Sequence, residues 1–418
     1  MTQASLGRRG WLVAPETQAV LAALDAKRPQ ASRFVGGCVR NALLGQPVDD
    51  LDIATQLTPD QVIHAVEAAG LKAVPTGVEH GTVTVISDGR PYEVTTLRRD
   101  VETDGRRAVV AFTEDWDEDA QRRDFRLNAL YADGEGQVYD PTGGGLEDLK
   151  ARRIIFIGDA ETRIREDYLR ILRFFRFNAW YGAGDLDADG LSACGRLRDG
   201  LNDMSAERIW KELGKLLRAS DPAPAVTAMA ESGVLSAVLL EAASLDRFKA
   251  LVSLDLDSFF DPDPFQRLGA LLPGDPDQAA LVAQRLRLSN VEKDKLVAMA
   301  EAEPRIVSFL SPKAVRQALY RLGPETFKDR VKLAWAASEN PRQTPQWRAL
   351  LAMAEGYARP AMPLSGEDAE AAGVPPGPLM GEVLREVEDW WVDADFTDDK
   401  LSLIERLKSV AQALVPAH

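Results

Sequence analysis

The pattern of apolar and polar positions changes near residue 150. Before that point short β-prone runs alternate with helical stretches. SRFVGG, residues 32–37, is an apolar run ending in a glycine pair, and the following CVRNALLG reads as a helix closed by Gly45. DLDIAT, residues 50–55, is a second strand candidate. Thr58-Pro59-Asp60-Gln61 has the form of a capping box with proline at the first helical position, opening a helix that stops at Gly70. HGTVTVI and PYEVTTL, separated by Ser87-Asp88-Gly89-Arg90, alternate with period two and predict a β-hairpin. This order predicts a small mixed or antiparallel sheet within an α+β chain.

After residue 151 the strand signals fade. REDYLRILRFFRFNAWYG, SAERIWKELGKLL and PAPAVTAMAESGVLSAVLL carry helical periodicity. Residues 1–150 are therefore expected to form a head domain. Residues 151–220 are expected to form a helical neck, and residues 221–418 an all-α body and tail. AAGVPPGPL, residues 371–379, is a Pro/Gly-rich loop between the last helical blocks.

Composition bounds the function. The apolar and charged fractions, 45% and 28%, are those of a globular protein. No run of eighteen apolar residues predicts a membrane span, and MTQASLGRRGWLVAPETQ has no apolar h-region. Two cysteines are too few for a disulfide framework, so a cytoplasmic location is expected. The net charge of −15 argues against indiscriminate nucleic-acid binding. Lys150 to Arg176 nevertheless carries eight basic residues against four acidic ones, a stripe that can hold one shaped RNA.

The residues with most chemistry lie between Phe34 and Thr55. On a β-strand, Asp50 and Asp52 project from one face. Two carboxylates aimed at one point repel unless a cation lies between them, and oxygen ligands without histidine or cysteine favour Mg²⁺. Asp49 would point to the opposite face. Gly36 and Gly37 let the backbone approach a ligand, and the helix after them offers amide donors to phosphate. Arg40 can add a charge-assisted contact there. An isolated Asp-x-Asp is usually a solvated pair; its coincidence with the glycine pair makes a site. Two-metal nucleotidyl transfer calls for a third carboxylate, and Glu93, on a strand able to pair beside DLDIAT, is the candidate.

GGCVRNALLG…DDLDIAT resembles the nucleotidyltransferase signature of bacterial class II CCA-adding enzymes and their poly(A) polymerase relatives. RRDFRLNAL at 122–130, DPTGG…LEDL at 140–149, EDYLR at 166–170 and SAERI at 205–209 follow in that family's order. The resemblance covers residues 33–220 densely. It implies addition of C, C and A to the 3′ end of tRNA from CTP and ATP, and no protein partner is implied.

It also implies that Asp167 and Arg170 read the base, and chemistry agrees. Cytosine and adenine both present an amino donor beside a bare ring nitrogen; a carboxylate accepts from the first and a guanidinium donates to the second. Uracil and guanine present the reverse pattern. Spacing on one helix would make Asp167 and Arg170 neighbours. By the same resemblance Arg173 bridges to the nucleotide, and Arg176 lies toward phosphate or in a structural ion pair. Leu169, Leu172, Phe174 and Phe175 read as helix core. The resemblance further places Arg123 and Asp124 at the sugar and phosphates, supported by Asn128. It makes Arg98 to Trp116, which lacks a strong strand or helix pattern, a flexible loop. Asn41 stands where the family commonly has aspartate, which is expected to remove a support for Arg40.

The alternatives are a bacterial poly(A) polymerase, an enzyme adding only CC or only A, and a silent tRNA-binding module. The segment PTGVEHGTVT, residues 75–84, and the acidic tail favour CCA addition over the polymerase, whose branch is basic in both places. Three histidines leave no HD-type phosphohydrolase site.

Overall fold

The computed structural model describes residues 4–101, 109–243, 245–258, 260–338, 344–396 and 399–414. The chain forms two compact units, residues 1–240 and 241–418.

The first unit is built on a mixed sheet. Its strands are β1 (Ser32–Val35), β2 (Asp52–Thr55), β3 (Lys72–Gly77), β4 (Thr82–Ser87), β5 (Arg90–Thr96), β8 (Tyr131–Ala132) and β9 (Val138–Tyr139), in the order β3-β4-β5-β2-β1-β8-β9. All neighbours are antiparallel except β2 and β5, which run parallel. The hairpin expected between HGTVTVI and PYEVTTL is β4–β5, and its turn residues Asp88 and Gly89 both have positive φ. β3 was not legible: Pro75 interrupts the run, and the strand survives as an irregular edge.

Alternation gives the sheet two chemistries. Ile53, Tyr92, Val94, Val83 and Val85 are buried on one face. Helices α2 (Pro15–Lys27) and α4 (Pro59–Ala68) pack there, and Thr17 meets the Tyr92 hydroxyl at 2.9 Å. A short helix α1 (Gly10–Val13) precedes α2, and α3 (Gly37–Leu44) links β1 to β2. The capping box at Thr58 is present on α4, with Thr58 and Gln61 exchanging bonds. The opposite face carries Asp52, Ala54, Glu93 and Thr95. It is covered near β1 by Ala120, Ala129 and Ile157, and left open near Asp52 and Glu93.

Strands β6 (Arg98–Val101) and β7 (Val109–Phe112) form a separate two-stranded ribbon. The loop expected from Arg98 to Trp116 is thus partly ordered, since its two arms pair as antiparallel strands from Arg98↔Phe112 to Val101↔Val109; residues 102–108 lie outside the described residues. Past β7 come α5 (Trp116–Gln121), α6 (Gly145–Ala151), α7 (Ala160–Glu166), α8 (Leu169–Tyr181), α9 (Ala188–Arg196), α10 (Ala206–Leu217), α11 (Ala223–Glu231) and α12 (Val234–Val238). Leu169, Leu172, Phe174 and Phe175 of α8 are buried.

The second unit is helical throughout its described residues, with ten helices from Leu245–Ser258 to Lys400–Leu414. Its two cores centre on Phe327, Val331 and Trp347, and on Val387, Trp391 and Leu407. No helix among the described residues is long and apolar enough to cross a membrane.

Candidate active site

Parallel pairing of β2 with β5 places Asp52 directly opposite Glu93, so both carboxylates leave the sheet on its open face. β2 begins at Asp52, however, and Asp50 lies in the exposed chain just ahead of it. The expectation that both aspartates ride one strand is corrected, because β1 ends at Val35 and enters the glycine turn, leaving β2 without that neighbour. Leu51 still receives the Glu93 amide at 3.3 Å, which keeps Asp50 near the pair. Burial raises the Asp52 carboxyl to about 6, the charges of Glu93 and Asp50 adding to the rise and Arg123 opposing it.

The carboxylates of Asp50, Asp52 and Glu93 have no hydrogen-bond or ion-pair partner among the described residues, although arginines are close by. Unpaired, crowded oxygens suit a hard divalent cation. No three candidate ligands form a ready-made cage among the described residues.

Gly36 precedes α3 with φ 72° and ψ −118°, a conformation closed to other residues. A Cβ there would sit 3.6 Å from the Asn128 carbonyl and 4.0 Å from Arg123 Nη1. Arg40 lies one layer behind Gly37, buried. It donates to Asn128 Oδ1 at 2.5 Å and to the Tyr181 hydroxyl at 2.8 Å. Asn41 accepts from Arg40 Nε and Nη2 at 3.1 and 2.9 Å, so the asparagine supports Arg40 after all. An amide oxygen serves where a carboxylate was expected.

The open face, the segment from Arg122 to Asn128 that follows α5, and the neck helices line a cleft of about 640 Å³. It brings together Gly36, Gly37, Asp52, Glu93, Arg123, Asp124, Asn128, Asp167, Arg170 and Arg173, while Asp50, Arg40 and Arg176 do not line it. Arg98, Arg122, Arg208, Lys211 and Glu212 also line it, though none was singled out from sequence. Seven Lys/Arg against five Asp/Glu make this cleft basic in an acidic chain, which favours a triphosphate.

Asp167 is not on a helix. It occupies the break between α7 and α8 with φ −154°, accepting from the Leu169 amide at 3.2 Å. Tyr168, next in the chain, packs on Gly200 so closely that a Cβ there would come within 2.1 Å of its ring. The helical-neighbour expectation for Asp167 and Arg170 is therefore corrected. Asp167 Oδ2 accepts from Arg208 Nη2 at 3.0 Å. Arg170 donates to Glu166 at 2.5 Å and to the carbonyls of Arg163 and Arg122 at 2.8 and 3.0 Å. Arg173 pairs with buried Asp124, and Arg176 donates to Glu212 at 2.6 Å, the structural ion pair that was one of its two expected roles. Burial opposes the charge on Asp124, but Arg173 outweighs it and holds the carboxyl below its usual range.

A mixed sheet with a carboxylate pair beside a glycine turn, closed by a helical neck, defines a nucleotidyltransferase. Residues 32–155 match the family described as the poly(A) polymerase head domain, and residues 185–245 the probable RNA- and SrmB-binding site of polymerase A. CCA tRNA nucleotidyltransferase 1, mitochondrial, of Mus musculus is 33% identical over 395 residues, spanning 93% of this chain and 89% of its own. The CCA-adding enzyme of Streptococcus gordonii is 32% identical over 395 residues, spanning 90% and 92%. A crystal structure of the Bacillus stearothermophilus CCA-adding enzyme in complex with CTP superposes with a TM-score of 0.71 at 28% identity, covering 96% of this chain and all of that one. The chain belongs to the family of CCA tRNA nucleotidyltransferases and poly(A) polymerases.

Proposed function

We propose that this chain adds C, C and A, from CTP and ATP, to the 3′ end of tRNA without a nucleic-acid template. The observation that carries this reading is the meeting, in one cleft, of the Asp52–Glu93 carboxylates with Asp167 and Arg170. Full-length relatives named as CCA tRNA nucleotidyltransferase and CCA-adding enzyme support it over a poly(A) polymerase.

Asp50 and Asp52 would hold Mg²⁺, with Glu93 alongside. When bound, the metal lowers the pKa of the attacking 3′-hydroxyl and neutralises charge on the α-phosphate and the leaving pyrophosphate. The residues of the chain do the rest. Gly36 and Gly37 admit the triphosphate against the start of α3, and Arg40 supports that turn from behind. Arg123 donates to the phosphates, while Asp124 and Asn128 order the sugar side. Asp167 accepts from the amino group of cytosine or adenine and Arg170 donates to the adjacent ring nitrogen. Arg173 ties this pair to Asp124, and Arg176 holds it through Glu212. We assign residues 1–150 to the head, 151–220 to the base-reading neck and 221–418 to tRNA binding. A cytoplasmic setting suits two free, buried cysteines.

The test is to offer the purified protein tRNA ending before the first C, before the second C and before the A, with each nucleotide in turn. Ordered incorporation of C, C and A followed by arrest is expected. Repeated A addition would make it a poly(A) polymerase, and activity on only one substrate a partial enzyme.

A further inference from the structure

Asp119 is a carboxylate that lines no part of the cleft and yet touches what does. It lies on α5 and is 1% exposed. Each oxygen collects donors from a different cleft arginine. Oδ1 accepts from Arg122 Nε at 2.9 Å and Nη2 at 2.8 Å. Oδ2 accepts from Arg123 Nε at 3.2 Å and Nη2 at 2.8 Å, and from the Tyr131 hydroxyl at 2.7 Å. Oδ1 also takes the backbone amide of Arg98 at 3.1 Å, where the β6–β7 ribbon leaves the sheet.

Two guanidiniums side by side repel, and in an open cleft they would swing apart. A buried carboxylate between them removes that repulsion and fixes both planes, since each arginine engages it through the Nε–Nη2 edge. This leaves Nη1 of each arginine directed elsewhere. For Arg123 that atom faces the glycine turn, 4.0 Å from where a Gly36 Cβ would lie. The Arg122 backbone carbonyl is meanwhile an acceptor for Arg170. One side chain thus sets the direction of two cleft-lining cations and holds the start of β6 beside them.

We propose that Asp119 is a positioning residue for the incoming nucleotide's triphosphate, acting through Arg122 and Arg123 without touching the nucleotide. This rests on the nucleotidyl-transfer reading above. Because the effect is on phosphate donors and not on the base-reading pair, it is common to CTP and ATP.

The test uses the full chain, with tRNA ending before the first C and tRNA ending before the A. Asp119→Asn preserves shape but turns one acceptor into a donor facing an arginine. The expected result is a rise of about 10- to 100-fold in KM for CTP and ATP alike. KM for tRNA and discrimination against UTP and GTP should stay unchanged. Inhibition by pyrophosphate, which carries no base, should weaken by a similar factor. Tyr131→Phe, which removes a donor to Asp119 and an acceptor for Arg123 Nε, should move the same quantities in the same direction by less. Asp119→Glu should recover part of the nucleotide KM. A wild-type chain that adds no CCA overturns the function, whereas an active wild type with unchanged nucleotide KM and pyrophosphate inhibition in Asp119→Asn overturns this proposal. If Asp119→Asn does not fold, unchanged values in Tyr131→Phe overturn it.

Discussion

The two ends of the cleft are prepared in opposite ways. At the sheet end, Asp50, Asp52 and Glu93 have no hydrogen-bond or ion-pair partner for their carboxylates among the described residues, and burial lifts Asp52 to about 6. At the neck end the groups assigned to the base and its support are already occupied: Asp167 by Arg208, Arg170 by Glu166 and two carbonyls, Arg173 by Asp124. The sheet end is thus a site of repulsion that Arg123 offsets only in part and that a divalent cation would remove. The neck end holds a set of internal contacts that a base edge must join or replace. A site that waits for charge accepts any nucleotide bringing metal and phosphate; a site with satisfied donors discriminates, because a mismatched edge leaves buried groups unpaired.

The largest effect should come from the sheet end. Asp52→Ala or Asp50→Ala should lower addition of both C and A by about 10³-fold or more, with tRNA affinity retained in a filter-binding assay. Comparable residual rates would break the comparison. At the neck end, Arg170→Ala should raise UTP and GTP incorporation relative to CTP and ATP by about tenfold to a hundredfold. Arg208→Ala, which frees Asp167, should shift selectivity in the same direction by less.

Between the two ends, Gly36→Ala should cost about 1–3 kcal/mol in a denaturant titration. Space exists for the methyl group, so the cost comes from its φ of 72°. The smallest effect concerns acid stability. Burial would raise the Asp119 carboxyl, but Arg123 and Arg122 outweigh it and hold it well below the usual range. A carboxyl depressed in the folded state adds stability above its unfolded value, about 3.9, and loses that contribution as pH falls toward the folded value. Wild type should therefore lose stability below about pH 4 more steeply than Asp119→Asn.

Much of the sheet end was legible because its signals are local. The glycine pair, the Asp-x-Asp spacing and the capping box at Thr58 each act within a few residues, and Glu93 was reachable by asking which strand could pair beside β2. The position of Asp50 was not, since it depends on where β1 stops. The neck end was less legible. Periodicity across EDYLRILRF runs through Asp167 without a sign of the break, where Tyr168 packs on Gly200, 32 residues away. Arg208 and Glu212 lay in a recognised segment, yet nothing near them shows that they face Asp167 and Arg176. Asp119 was hidden for the same reason: its partners span Arg98 to Tyr131, and a helix-start aspartate beside Asp115 and Asp117 reads as capping charge.

The division of labour between the two ends is tested most directly by single-turnover rates. Each of the four nucleotides is offered to tRNA lacking only its terminal A, with wild type, Asp52→Ala and Arg170→Ala. Asp52→Ala should lower all four rates by a common factor, and Arg170→Ala should change their ratios. A uniform fall in Arg170→Ala, with the preference among nucleotides intact, would contradict the account.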